Sequence, residues 1–441
     1  MKINLSKTKS IVILISILYS LFRIINATLV SPFYDEFDSP QYFILKFFPS
    51  FRTHGITLVY SIIKDEYLIT IFQAFVGSLV WIFLWISILR LIRFRYFQVV
   101  FTILYFVLAS SSVVVEHDSS LLSESLAISS TIFLFAASIE YFLGEKKYSQ
   151  RSLYIFGLGI LWFLSTKSSN SLIFPLLGSL YLFAAFRKRE YKGLLLTTLI
   201  FTIFGAFFLA NSLSSDITKT LTTSGTINNR LVFVDRWKNE LLDSGYPEKA
   251  FSIWNDFSQS NLGLPPDQAV VNMPEFKKWW ENGGESYLLE FTLKNPDYAL
   301  LAPIALPIFS DELNFRKTLL SGWSQGTDLT SEYKGFKESL VTRTFFWPDE
   351  PEKAYLALSV ALLITGISLI SLLIMNYPKE FNFIIISFVL ILIWSYLNWW
   401  FGSKPADMAR HNLSAAVMLK VLSIFAFSIA VDKFLGKRKL N

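Results

Sequence analysis

The feature that most constrains this chain is a recurring run of apolar residues, each about 20 long, enough to cross a bilayer as a helix. Ile11 to Val30, Tyr67 to Leu89, Ala354 to Met375 and Phe381 to Trp400 all read this way. In hydrocarbon every backbone N–H and C=O must be satisfied within the segment or a closed barrel, and runs of this length select helices. Charged residues make up 17% of the chain, where a soluble chain carries about a quarter. The shortfall is filled by 43 Phe, 19 Tyr and 12 Trp. This balance excludes a disordered protein, a nucleic-acid-binding domain and an ordinary cytosolic enzyme. With no Cys, there is also no disulfide, thiolate metal site or cysteine nucleophile.

The hydropathy pattern predicts an all-α polytopic membrane protein with about ten transmembrane helices. Besides the four spans above, spans are expected near Tyr96 to Val113, Leu121 to Leu143, Leu153 to Leu164, Leu172 to Phe186, Leu194 to Ala210 and Leu413 to Ala430. The stretch from Leu153 is short for a crossing, and a tilted, re-entrant or extended helix would each accommodate it. Eighteen Lys and Arg residues lie in one set of short loops, including Arg90, Arg93, Arg95 and Arg187 to Arg189. The other set is sparse, with Arg52, Lys64, Lys167, Lys404 and Arg410. The positive-inside rule then places both termini in the cytoplasm of an inner (plasma) membrane protein, with the first span a retained helix.

Residues 211–353 stand apart. They carry 20 acidic and 14 basic residues, a net −6 against +12 for the remainder. The expected organisation is an N-terminal membrane module, 1–210, an extracytoplasmic soluble and mainly helical domain, 211–353, and a C-terminal membrane module, 354–441. No internal repeat of the kind common in transporters is visible.

Candidate chemistry collects on the expected outer face. The first outer loop, 31–66, holds Asp35, Glu36 and Asp38 among Phe33, Tyr34, Phe37, Tyr42 and Phe43. A carboxylate partly desolvated by aromatic rings at a water–lipid boundary gains basicity; a plain solvated acidic loop is the alternative. Ser39-Pro40 reads as the start of an interfacial helix. Arg52 could grip a lipid phosphate with its planar fork, or pair with a headgroup or with Asp35. Glu124 falls at the start of the expected fourth span, where a buried acid is functional, paired or a favourable helix-terminal charge. Lys167 sits in the polar knot Ser165 to Asn170, and Arg410 with His411 opens the last span, a place suited to phosphate. His54, His117 and His411 lack the i, i+4 spacing of a metal pair, so no metal site is expected, although a divalent ion among them and the acids is conceivable chemistry. Arg23, inside the first span, must snorkel or find an acid.

In chain order these pieces are Asp38-Ser-Pro-Gln-Tyr42, Arg52-Thr-His-Gly55, Gln73-Ala-Phe-Val-Gly77, Leu122-Ser-Glu-Ser-Leu-Ala-Ile-Ser129 and Asp407-Met-Ala-Arg-His411. The series resembles the bacterial GT-C superfamily of integral-membrane glycosyltransferases, relatives of protein O-mannosyltransferases and of the lipid A aminoarabinose transferase. The resemblance covers roughly residues 10 to 210 and 354 to 432. It implies a GT-C-like fold with interfacial helices in the first outer loop. The implied reaction moves a sugar from a polyprenyl-phosphate donor to a lipid, glycan or protein acceptor, with inversion and without a cofactor. On that resemblance Asp38 is the first choice of general base, with Asp35 and Glu36 as rivals. Arg52, Lys167, Arg410 and His411 become donor-phosphate contacts, and Glu124, Tyr42 and His54 acceptor-side or supporting groups. Two departures are visible: Lys167 stands where many relatives have Arg, and three acids compete where many have an Asp-Glu pair. Rival readings are an O-antigen-type polymerase or ligase acting through outer-loop Arg and His, and a transporter or flippase.

Overall fold

The computed structural model describes residues 5–34, 39–43, 54–144, 149–187, 216–255, 266–300, 346, 351–401 and 405–438. The described residues form helices and short helical turns, with one isolated parallel bridge between Phe33 and Ser120. The N-terminal part begins with α1 (Leu5–Leu29) and the short α2 (Ser39–Tyr42). Next come α3 (His54–Ile63) and α4 (Glu66–Leu89). The following helices are α5 (Arg95–Ala109), α6 (Ser112–Val115) and α7 (Glu124–Phe142). The polar knot is a 3-10 segment, Ser168–Ile173, between α8 (Gln150–Thr166) and α9 (Phe174–Arg187).

Local chemistry explains several boundaries. Asp65 caps α4 by accepting from the Leu68 N–H at 2.9 Å, and Ser149 does the same for α8 through the Ser152 N–H at 3.1 Å; both satisfy a donor the first turn leaves open. The three C-terminal helices each start on proline: α17 (Pro351–Ile374), α18 (Pro378–Phe401) and α19 (Pro405–Arg438). Proline costs nothing at the first helical position, where its missing N–H would have no partner.

Six described helices are long and apolar enough to cross a membrane, and a seventh is added if α5 and the segment 112–119 count as one broken span. The protein is a polytopic helical membrane protein. Of the ten expected spans, those at α5, α8 and α9 are short, at 15, 17 and 14 residues, and 194–210 lies outside the described residues. The largest departure is at the third span. It does not run to Val113 but stops at Ala109 and turns by 58° into buried residues 112–119. Ser110 and Ser111 mark the break, and the Ser111 hydroxyl donates to the Leu108 carbonyl at 2.7 Å, competing with the helix ladder. Hydropathy is blind to this, because Val113, Val114 and Val115 continue the apolar run.

α7 lies between α4 and α8 and also meets α19, while α1 packs on α4. Their core is aromatic: Trp81, Trp85, Tyr105, Phe156, Phe163 and Phe425 are all buried. α1 and α17 instead turn outward, exposing Leu14, Leu18, Leu21, Leu363, Ile367 and Ile370. Such surfaces would aggregate in water but are ordinary against lipid. At the end away from the polar knot, Asp432 Oδ1 accepts from the Arg93 and Phe94 N–H groups, each at 2.9 Å, tying α19 to the start of α5.

Within 211–353 the described residues build a second core. It uses α10 (Asp216–Arg230), α11 (Asp235–Asp243), α12 (Lys249–Asn255), α13 (Pro266–Asn272), α14 (Pro274–Trp279), α15 (Glu285–Lys294) and α16 (Pro296–Leu300). Trp237, Tyr246, Phe276, Trp279 and Phe291 fill it, and Tyr396 of α18 packs against it. Burial pushes the Tyr246 phenol well above its ordinary pKa, partly offset by hydrogen bonds from Asn228 and Ser224.

Candidate functional site

Two buried ion pairs lie around the segment 116–124. This segment leaves the broken third span, makes a 3-10 turn over Glu116–Ser119 and enters α7 at Glu124. All of its residues are buried, so its backbone must find partners inside the protein. It finds them in the first loop. Phe33 N–H donates to Ser119 O at 2.7 Å, Leu121 N–H donates to Phe33 O at 2.9 Å, and Ser39 Oγ donates to Leu121 O at 3.1 Å. From α3, Tyr60 OH donates to Leu122 O at 2.9 Å. From α4, Gln73 Nε2 donates to Ser120 O at 2.9 Å.

Asp118 anchors the segment from below. Its carboxylate takes Arg23 Nη2 at 2.7 Å and Arg23 Nε at 2.8 Å, a two-point fork, and accepts from Ser125 Oγ at 2.8 Å. Arg23 Nη1 also donates to Tyr19 OH at 3.3 Å, and Tyr19 OH donates to Ala109 O at 3.0 Å. The guanidinium lies against Gly77, where a Cβ would come within 2.6 Å of Arg23 Cζ. Arg23 therefore does not snorkel; it pairs internally with an acid 95 residues away.

A second buried ion pair stands beside the first. Lys167 Nζ donates to Glu124 Oε1 at 3.0 Å, and both side chains are more than nine-tenths buried. Below them Asn170 Nδ2 donates to Phe163 O at 2.8 Å, and Asn170 Oδ1 accepts Trp394 Nε1 at 3.0 Å, linking the polar knot to α18. A pocket of about 280 Å³ lies between α3, α4, α7 and α8, lined by residues that include Gly55, Val59, Phe72, Leu126, Trp162 and Thr166. Its walls are mostly apolar, and in the chain Thr166 immediately precedes Lys167 while Leu126 follows Glu124 by two residues. α3 forms one wall and is pressed close: a Cβ on Gly55 would sit 2.6 Å from Ser165 Oγ and 2.7 Å from the Ser165 carbonyl oxygen.

Of the site residues expected from sequence, Glu124 and Lys167 are brought together. Tyr42 is buried beside Tyr60, ring centroids 5.8 Å apart. His54 begins α3, and Arg410 and His411 lie on α19, but their side chains fall outside the described residues. Asp35, Glu36, Asp38 and Arg52 also lie outside them; their described neighbours Phe33 and Ser39 are the two residues fastened to 119–121. Among the described residues no group of His, Asp or Glu is arranged to hold a metal ion. His117 Nε2 lies 4.0 Å from Glu116 Oε1 within the same turn.

Sequence reasoning missed Asp118, Gln73 and Tyr60 as organisers of this end. One signal was available for Asp118: Arg23 was a lone cation in a span and required an acid. No family model matches this sequence, and no curated protein or solved structure matches it.

Proposed function

We propose that this protein is an inverting glycosyltransferase of the GT-C type. It takes a sugar from a polyprenyl-phosphate donor and passes it to a lipid, glycan or protein acceptor outside the plasma membrane, with both termini in the cytoplasm. The observation that carries this reading is an apolar-walled pocket between α3 and the spans α4, α7 and α8, two of whose lining residues, Thr166 and Leu126, lie within two positions in the chain of the buried Lys167–Glu124 pair. A polyprenyl chain needs an apolar, lipid-depth groove, and its phosphate needs a cation where negative charge grows as the glycosidic bond breaks. Glu124 orients the Lys167 ammonium in an apolar setting.

The base on this reading comes from the acidic loop, Asp38 first and Asp35 or Glu36 next. It removes the acceptor hydroxyl proton as the oxygen attacks the anomeric carbon, and the polyprenyl phosphate departs from the opposite face. Arg52, Arg410 and His411 are the remaining donor-phosphate candidates. A GT-C-like arrangement with further short crossings beyond the long helices belongs to the same proposal.

The test is a cell-free transfer assay with purified protein and a panel of radiolabelled polyprenyl-phosphate sugars. Asp38→Asn is expected to abolish sugar transfer while donor binding persists, and Lys167→Met to weaken donor use. Full turnover by Asp38→Asn would move the base to Asp35 or Glu36. Folded wild type that releases no polyprenyl phosphate from any donor would overturn the reading and favour a polymerase acting on pyrophosphate-linked glycans.

A further inference from the structure

We propose that Arg23 is a positioning residue whose clamp on Asp118 sets the alignment of the two loops at the site. The proposal rests on the glycosyltransferase reading for its kinetic consequence only. Arg23 lies on α1, a helix that otherwise shows lipid-facing residues such as Leu14, Leu18 and Ile25. A charge pair buried in a bundle is a poor way to gain stability, because well-packed apolar residues of the same size do as well or better. What an Arg–carboxylate fork adds is direction: two parallel hydrogen bonds fix the orientation of the carboxylate and of the backbone that bears it.

That backbone is the one to which the first loop is fastened. Residues 119–122, at the end of the 3-10 turn and beyond it, belong to no α-helix or regular strand, yet they hold four partners from elsewhere through their main-chain groups. Ser119 O and Leu121 N–H take Phe33, Leu121 O takes Ser39, Ser120 O takes Gln73 and Leu122 O takes Tyr60. Phe33 and Ser39 are the residues that bracket the acidic stretch in the sequence. A ledge made of main-chain groups is only as well placed as its side-chain anchor, and Asp118 is gripped at both carboxylate oxygens. Gly77 confirms that the grip is built in, since α4 gives up a side chain where the guanidinium lies.

The experiment uses the chain's lack of cysteine. Phe33 and Ser120 are bridge partners, and paired backbones run about 4.8 Å apart, within disulfide reach. In full-length protein Phe33→Cys with Ser120→Cys should cross-link readily under mild oxidant. Adding Arg23→Met and Asp118→Leu, which removes both charges, should preserve thermal stability and slow the cross-link about tenfold as the aligned loop stops being the dominant conformer. In the transfer assay, without the cysteines, the same pair should lower kcat roughly 100-fold at unchanged KM, the scale of a misplaced reacting group. Cross-linking and kcat equal to the parent would overturn the proposal and leave a merely structural pair. Absence of cross-linking in the parent would overturn it too. If the charge-free variant does not fold, Arg23→Lys replaces it, keeping the charge without the fork; unchanged cross-linking there refutes the role of the fork. A wild type inactive on every donor sinks the glycosyltransferase reading, while the cross-link still decides this one.

Discussion

Gly77→Ala gives the sharpest test of how the bundle accommodates its buried arginine. The added Cβ would sit 2.6 Å from Arg23 Cζ and 2.7 Å from Arg23 Nη1. Ordinary contact needs about 3.5 Å, so the guanidinium must retreat by roughly 1 Å. An arginine tip is usually free to do this. Here it is held at 2.7 and 2.8 Å to Asp118, and a retreat of that size takes both bonds out of range. Hydrogen bonds to charged groups contribute about 1.5–3 kcal/mol each, and breaking a buried pair outright costs about 3–5 kcal/mol. Against this, Ala is better than Gly inside a helix by about 1 kcal/mol. The net expectation is a loss of about 2 kcal/mol. Gly366→Ala on α17 is the matched control, because nothing lies within 4 Å of its added Cβ; it should gain roughly 0.5–1 kcal/mol. Reversible denaturation in mixed detergent micelles measures both. In an Arg23→Ala background the Gly77→Ala penalty should vanish, a coupling that a double-mutant cycle isolates. If Gly77→Ala shifts stability in the same direction as Gly366→Ala, the close approach of Arg23 to α4 is wrong.

Gly55→Ala should push α3 away from α8, because the obstacle includes the Ser165 main-chain oxygen at 2.7 Å, which has no rotamer to change. On the proposed function, donor KM should rise about tenfold, equivalent to about 1.4 kcal/mol, and an unchanged KM would detach the pocket from donor binding. Trp394→Phe should cost about 1–3 kcal/mol by leaving buried Asn170 Oδ1 without its donor. The same denaturation assay reads it, and a cost near zero would show that the link between the polar knot and α18 carries no weight.

The sequence alone determined the class of protein and most of its helices, because both depend on local properties. Apolar runs about 20 residues long leave a backbone in lipid no alternative but to pair with itself, and Pro351, Pro378 and Pro405 mark starts that follow from proline's own geometry. Part of the candidate site was legible as well, since Glu124 and Lys167 stood out as charges an apolar chain must account for. What the tertiary structure decided was which charges are already committed. Asp118, passed over as one more loop acid, belongs to Arg23, and Glu124 and Lys167, assigned to opposite sides of the chemistry, hold each other at 3.0 Å. The break after Ala109 was hidden too: three valines continue the hydropathy, while the segment beyond the break is held by partners that Ser119 and Leu121 find on Phe33. Hydropathy and periodicity are sums over neighbours in the chain, whereas a buried ion pair is settled by distances in space. Arg23 and Asp118 are separated by 95 positions along the chain and by 2.7 Å in the fold.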